Sequence, residues 1–337
     1  MKIAVLAPVA WRTPPRHYGP WEQMASNLTE GLLNAGIDVT LFATGDSLTS
    51  GKLDAVIGEG YEENRELDAK VVECLHISNL MEKAGDFDLI HNHYDFLPLS
   101  YSGLIKTPLI TTIHGFSSEK IIPVYQKYND RGYYVSISDS DRHPSLKYMK
   151  TVYNGIDTSA FVFNGHPEDY LLFFGRIHPD KGTAEAIQIA IQSNRKLIIA
   201  GIIQDQDYFR DRVAPFLNAD IEFVGAAGPE QRNDYLRGAS ALLHPISFEE
   251  PFGLSVAEAM LCGTPVIAYQ RGSMPELIKH GKTGFLVKDV EAAVNAVARL
   301  GTIKRKDCRE WAISRFSQER MVKDYLNLYH QILSSIS

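Results

Sequence analysis

Along the chain, short apolar runs rich in β-branched residues alternate with longer stretches in which apolar residues recur every three or four positions. KIAVLAP (2–8), DVTLFAT (38–44), DLIHNH (88–93), PLITTIH (108–114) and YYVSIS (133–138) read as buried strands. Between the first two, WEQMASNLTEGLLNAG has helical spacing and ends at Gly36, a residue suited to the left-handed position that closes a helix. Strand, helix, strand in that order predicts a parallel sheet covered by helices on both faces.

The pattern restarts after residue 165 with YLLFFGR (170–176), KLIIAG (196–201), IEFVG (221–225), ALLHP (241–245) and TPVIAY (264–269), again separated by helical stretches. The restart predicts a second parallel α/β domain, joined through the Asn-, Gly- and Pro-rich segment 152–169, with Gly155 as a hinge candidate. SQERMVKDYLNLYHQILSSI places Met321, Tyr325, Leu328 and Ile332 on one helical face, so the chain ends in a helix packed on a domain. The predicted organisation is 1–160, 161–316 and a terminal helix at 317–337. Ligands of open parallel sheets bind beyond the carboxyl ends of the strands, which makes a cleft between two such domains the expected site.

The 337 residues exceed the size at which one core usually suffices, which agrees with two domains. A composition 45% hydrophobic and 22% charged is that of an ordinary globular protein, and a net charge of −7 argues against a broad grip on nucleic acid or anionic lipid. Cys74, Cys262 and Cys308 are widely spaced and predict neither a zinc site nor a disulfide framework. No run of eighteen apolar residues occurs and the first apolar run is read as a strand, so the expected compartment is the cytoplasm.

Two segments carry candidate chemistry. FFGRIHPDKG (173–182) brings Arg176 and Lys181 to a strand end and the start of a helix, a cradle for phosphates in which arginine bonds bidentately and lysine adds a point charge. In EEPFGLSVAEAM, Pro251 and Gly253 force a turn before a helix whose first amides, at Leu254 and Ser255, suit an anion. Glu258, about one helical turn on, would accept the two hydroxyls of a ribose, and Glu250 at the loop edge the hydroxyls of a sugar. The bland alternatives are two solvated cations, a capping Glu250 and a solvated Glu258.

Together these segments resemble the retaining GT-B glycosyltransferases, in particular glycosyltransferase family 4. The hallmark is two glutamates separated by seven residues, here Glu250-Pro-Phe-Gly-Leu-Ser-Val-Ala-Glu258. Gly175-Arg176 with Lys181-Gly182, Asn154-Gly155-Ile156-Asp157, and Gly272 with Glu276 before Gly281-Lys-Thr-Gly284-Phe extend the likeness almost end to end. The resemblance implies two Rossmann-like doubly wound domains and transfer of a hexose from a UDP- or GDP-linked sugar to a small-molecule or glycan hydroxyl, with retention. It also implies a terminal helix that returns to the first domain, and no cofactor beyond the nucleotide-sugar co-substrate.

It further implies that Arg176 and Lys181 bind the departing diphosphate, that Glu258 holds the ribose and Glu250 the sugar, and that Phe252, Gly253, Leu254 and Ser255 complete the donor-binding turn. His114 matches a histidine beside the donor sugar. HYGPWEQ (17–23) matches a glycine loop that closes on the phosphates; Gly19 is retained, but Pro20 replaces the second glycine and has no N–H to give. Glu22 reads as a carboxylate at a helix N-terminus.

His91 and His93 flank Asn92 on alternate strand positions and share a face. They lack an obvious third ligand, so an acceptor-side or structural role is expected, with Asp95 touching the acceptor. Asp86-Phe-Asp88, Asp139-Ser-Asp141 and Asp205-Gln-Asp207 repeat a metal-nucleotide tripeptide too short to be informative, and metal-independent transfer is expected. Many relatives act at membranes through a basic amphipathic helix. The best candidate here, DRHPSLKYMK (141–150), is short and broken by Pro144, which favours a soluble acceptor. Two rival functions are weighed. A nucleotide-dependent oxidoreductase needs G-x-G-x-x-G after the first strand, and KIAVLAPVAWRTPP has none. A non-catalytic nucleotide-sugar-binding protein would keep the fold without turnover.

Overall fold

A computed structural model describes residues 1–17, 19–116 and 118–336; Tyr18, inside the predicted glycine loop, Ser117 and Ser337 lie outside them. The chain divides into two compact units, one of Met1–Ile156 with the segment from Gln318 onward, the other of Asp157–Ser317.

The first unit runs β1 (Lys2–Leu6), α1 (Pro20–Asn34), β2 (Asp38–Phe42), β3 (Lys52–Asp54), α2 (Ala69–Glu82), β4 (Leu89–Asn92), β5 (Leu109–Ile113), α3 (Ile122–Lys127), β6 (Tyr133–Ser136) and β7 (Tyr148–Thr151). Among the described residues these strands form one sheet in the order β3-β2-β1-β4-β5-β6-β7, with every pair parallel. Alternate strand residues face opposite ways, so the sheet carries two cores. On one face Ile3, Val5, Val39 and Leu41 meet α1 through Leu28 and Leu32; on the other Ala4, Leu6 and Ile90 meet α2 through Ile77, Leu80 and Met81.

The second unit runs β8 (Tyr170–Phe174), α4 (Thr183–Gln192), β9 (Lys196–Ala200), α5 (Gln206–Tyr208), β10 (Ile221–Gly225), α6 (Pro229–Gly238), β11 (Ala241–His244), α7 (Leu254–Leu261), β12 (Val266–Tyr269), α8 (Met274–Leu277), β13 (Gly284–Val287), α9 (Val290–Val297) and α10 (Arg305–Phe316). Its sheet has the order β10-β9-β8-β11-β12-β13, also parallel throughout. The last helix, α11 (Gln318–Ile336), packs in the first unit, where it buries Met321, Tyr325, Leu328 and Ile332 against the α1 face of the sheet. Gly155 is held there too: Asn27 donates to its carbonyl at 2.7 Å, and its amide meets Met321 Sδ at 3.1 Å.

Each sheet reverses its strand order once, between β1 and β4 and between β8 and β11. These are the points at which a doubly wound sheet opens a crevice beyond its strand ends.

Two expectations need correction. Strands β3, β7 and β13 escaped the reading because they are edge strands of only three or four residues, too short to give a long apolar run. The segment 141–150 is not a helix. Turns carry it into β7, and its cations are paired, Arg142 with Asp139 at 3.6 Å, Lys147 with Asp130, and Lys150 with Asp324 at 2.6 Å. Among the described residues no helix is long and apolar enough to cross a membrane.

Candidate active site

In the second unit the predicted residues gather where the strand order reverses. Arg176 stands two residues past β8, and Lys181 ends the single helical turn Pro179–Lys181 before α4. This turn is locked to the segment leaving β11: the Ser247 amide donates to the Asp180 carbonyl at 2.8 Å, and a Cβ on Gly182 would lie 2.0 Å from the Pro245 carbonyl oxygen. Gly182 also has φ +75°, so only glycine fits by either criterion.

The lock delivers Lys181 to Glu250. Lys181 Nζ donates to Glu250 Oε2 at 2.7 Å, with the two side chains only 15% and 13% exposed. The same ammonium lies 4.4 Å from the Phe248 ring centroid. His244, the last residue of β11, brings Nε2 to 3.7 Å from the same oxygen, an electrostatic approach too long for a hydrogen bond. Burial opposes charge on Glu250, but His244 and Lys181 outweigh it and hold the carboxyl down to about 2. Glu250 is therefore an ionised acceptor throughout the neutral range. Its backbone carbonyl accepts from the Ser273 amide at 2.9 Å, and Gly272 packs on the Glu249–Glu250 backbone, which fixes the loop.

Glu258 lies on α7, 8% exposed, which removes the solvated alternative. Burial pushes its carboxyl up, and Arg232 of α6 opposes that shift from 3.3 Å. Gly253 forms the N-cap of α7 with φ +87°, leaving the amides of Leu254 and Ser255 without acceptors inside the helix. Phe252, expected in the donor-binding turn, turns its side chain inward. It is 2% exposed and packs edge-on against Phe316, with centroids 5.7 Å apart, so its role at the turn falls to its backbone.

Arg176 does not join the Lys181–Glu250 pair. Its Nη1 donates to Gln204 Oε1, and its Nη2 lies 3.8 Å from Asp180 Oδ2. His244, Arg232, Gln204 and Asp180 were all missed. Only His244, at a strand's carboxyl end, carried a positional signal like that of the others; the rest depend on pairings across loops.

In the first unit Gly19 and Pro20 open α1 in the crevice beyond β1. Pro20 takes the first helical position, where a missing N–H removes no helical hydrogen bond, so the exchange of glycine for proline is compatible with the helix start. Glu22 in the first turn is 3% exposed, and burial lifts its carboxyl to about 7 against hydrogen bonds from its own amide and that of Trp11.

His114, one residue past β5, shares a hydrogen bond with His93 (Nε2 to Nδ1, 2.9 Å) and stacks on Trp21 with centroids 5.8 Å apart. Burial depresses His114 to about 3 and, with the neighbouring imidazoles, holds His91 and His93 well below their usual range, so all three are neutral. His93 is 1% exposed and bonded to His114, so of the acceptor-side and structural roles expected for it the structure gives the structural one.

His91 is structural. It bonds Tyr329 Oη at 2.5 Å and Thr112 Oγ1 at 2.7 Å, tying β4 and β5 to α11. Asp95 is half-buried beyond β4, receives the Tyr125 hydroxyl at 2.5 Å, and is raised by burial to about 6. Among the described residues no three His, Cys, Asp or Glu side chains are grouped to hold a metal ion. Asp88 accepts from the Lys2 amide at 2.7 Å and Asp205 caps α5, so two of the three Asp-x-Asp tripeptides have local structural duties.

Comparison with known proteins matches residues 22–160 to the model for Glycosyltransferase Family 4 and residues 158–315 to that for Glycosyl transferases group 1. An uncharacterized glycosyltransferase of Methanocaldococcus jannaschii is 24% identical, over 98% of both chains. The phosphatidyl-myo-inositol mannosyltransferase of Mycobacterium tuberculosis is 25% identical over 74% of this chain and 75% of that one. Among solved structures, Anabaena HepE in complex with UDP-glucose superposes with a TM-score of 0.71 at 19% identity, over 99% of this chain and 100% of that one, a likeness of fold. Two doubly wound parallel sheets, two contiguous family matches and a relative aligned over nearly the whole length establish that the chain belongs to the GT-B glycosyltransferases of group 1, family 4.

Proposed function

We propose that this glycosyltransferase moves a hexose from a nucleoside diphosphate sugar, UDP- or GDP-linked, to a hydroxyl acceptor, with retention at the anomeric carbon and without a metal ion. The observation that carries the proposal is the buried Lys181–Glu250 pair beyond the carboxyl ends of β8 and β11, with Arg176 two residues past β8 and Glu258 buried on α7. Mannosyl transfer by the mycobacterial relative and the UDP-glucose bound in HepE support a hexose donor of this class.

In the proposed reaction Lys181 and Arg176 take the diphosphate, Glu258 the ribose hydroxyls, and the free amides of Leu254 and Ser255 the donor's anionic end. Glu250, kept ionised, accepts from sugar hydroxyls. It is committed to Lys181 and so is not offered as a nucleophile. The bond from the anomeric carbon to the phosphate oxygen breaks as the bond to the acceptor oxygen forms on the same face, and the acceptor proton passes to the leaving phosphate. The two cations stabilise the charge developing there. His114 serves the donor sugar as a neutral imidazole, and Asp95 the acceptor.

The test is transfer from UDP- and GDP-hexoses to a panel of polyol and glycan acceptors, with the anomeric configuration of the product read by NMR, with and without EDTA. A retained configuration and unchanged rate in EDTA are expected. An inverted product, or activity lost in EDTA and restored by manganese, overturns the mechanism.

A further inference from the structure

We propose that Gln204 is a positioning residue for Arg176, holding its guanidinium in place for the donor diphosphate without neutralising it; this rests on the diphosphate-binding role proposed for Arg176. A guanidinium has five N–H donors and no acceptor, and on the rim of a strand end it has many rotamers available. Here Gln204 Oε1 accepts from Nη1, and Asp180 Oδ2 lies 3.8 Å from Nη2, beyond hydrogen-bonding range. A neutral amide carbonyl therefore makes the direct bond, while Asp180 adds a longer electrostatic contact that offsets only part of the charge. That division keeps the positive charge and leaves the Nε and Nη2 hydrogens for a bidentate oxyanion.

The backbone beneath Gln204 is built to hold it there. The segment leaving β9 bridges the segment leaving β8 at Ile177 and Ile203: the Ile177 amide donates to the Ile202 carbonyl at 2.8 Å, and the Gln204 and Asp205 amides both donate to the Ile177 carbonyl at 3.2 Å. The approach is close enough that a Cβ on Gly201 would stand 1.8 Å from the Gly175 carbonyl oxygen. Asp205 then accepts from the Tyr208 amide at 2.9 Å, so the residue after Gln204 is fixed as a helix cap. Gln204 is itself exposed and makes no contribution to the core, so the constraint on its backbone is not explained by packing of its side chain.

The experiment is a double-mutant cycle on nucleoside diphosphate binding. Titration calorimetry with UDP, GDP and ADP is run on the full chain, on Gln204→Ala, on Arg176→Ala and on the double variant, with thermal unfolding as a check on folding. With the nucleotide that binds, Gln204→Ala is expected to weaken affinity about tenfold, the scale of a hydrogen bond to a charged group, and to change it less than about twofold once Arg176 is alanine. Gln204→Glu keeps the anchor but cancels charge, and should bind more weakly than Gln204→Ala. An equal loss in both backgrounds, or no loss in the wild-type background, overturns the positioning role while leaving the donor site standing. No effect of Arg176→Ala, or no binding of any of the three nucleotides, overturns the donor reading and the positioning role with it.

Discussion

Replacing Lys181 by Met removes the charge that Glu250 depends on while keeping most of the aliphatic stem. The Glu250 carboxyl sits at about 2 against an ordinary 4.5, a difference worth about 3 kcal/mol at 1.36 kcal/mol per pH unit. His244 supplies part of this, and the pair retains some exposure, so Lys181→Met should cost about 2 kcal/mol at neutral pH, below the range for breaking a fully buried pair. For a domain of this size that is a fall in Tm of about 4 to 8 °C. The sign with pH follows from the depressed value. The stabilisation is fully present above the unfolded-state value near 4.5 and is lost as pH falls toward about 2. In the variant burial dominates, Glu250 takes up its proton at higher pH, and the gap to wild type narrows on acidification. Adding Glu250→Gln should restore much of the loss, because no buried charge is then left unpaired. Thermal unfolding of the ligand-free protein between pH 7 and pH 3.5 measures all of this. A wild-type Tm for Lys181→Met at pH 7, a gap independent of pH, or no recovery in the double variant would refute the reasoning.

Glu258 should behave oppositely, because its carboxyl is raised by burial and its ionisation costs stability as pH rises past the ordinary value. Glu258→Gln should therefore leave Tm unchanged or higher while weakening nucleoside diphosphate binding at least about tenfold, through loss of hydrogen bonds to a charged acceptor; calorimetry showing unaltered affinity would remove Glu258 from the site. Tyr329→Phe should lower the Tm of the first unit by a few degrees, because it leaves a nitrogen of the fully buried His91 unsatisfied at a cost of about 1 to 3 kcal/mol. Equal unfolding curves would show that the His91–Tyr329 bond adds nothing.

The parallel sheets were readable because their central strands are unbroken apolar runs such as KIAVL and YLLFF, buried on both faces. Edge strands such as Lys52–Asp54 and Tyr148–Thr151 were not, since half-exposed positions erase that signal and neighbours distant in sequence stabilise them, as Asp324 does for Lys150. The glutamates, Arg176 and Lys181 could be named from local turn chemistry together with the family resemblance. Their partners could not, because Lys181 meets Glu250 across 69 positions and Arg176 meets Gln204 across 28, distances closed only by the strand order β9-β8-β11. The burial of the His93 and Phe252 side chains was not legible either: each follows or adjoins a segment that reaches the crevice, but its own side chain points into the protein.

Arg176 of the second unit is the residue on which the proposed binding of a nucleoside diphosphate sugar depends. The most direct test is a thermal-shift panel of UDP, GDP, ADP and their hexose conjugates on the wild type and on Arg176→Ala. A ligand at a hundred times its Kd adds about 2.7 kcal/mol. Stabilisation by one nucleotide family, lost in Arg176→Ala, is the expected result; no response to any nucleotide, or a response that Arg176→Ala leaves intact, would contradict it.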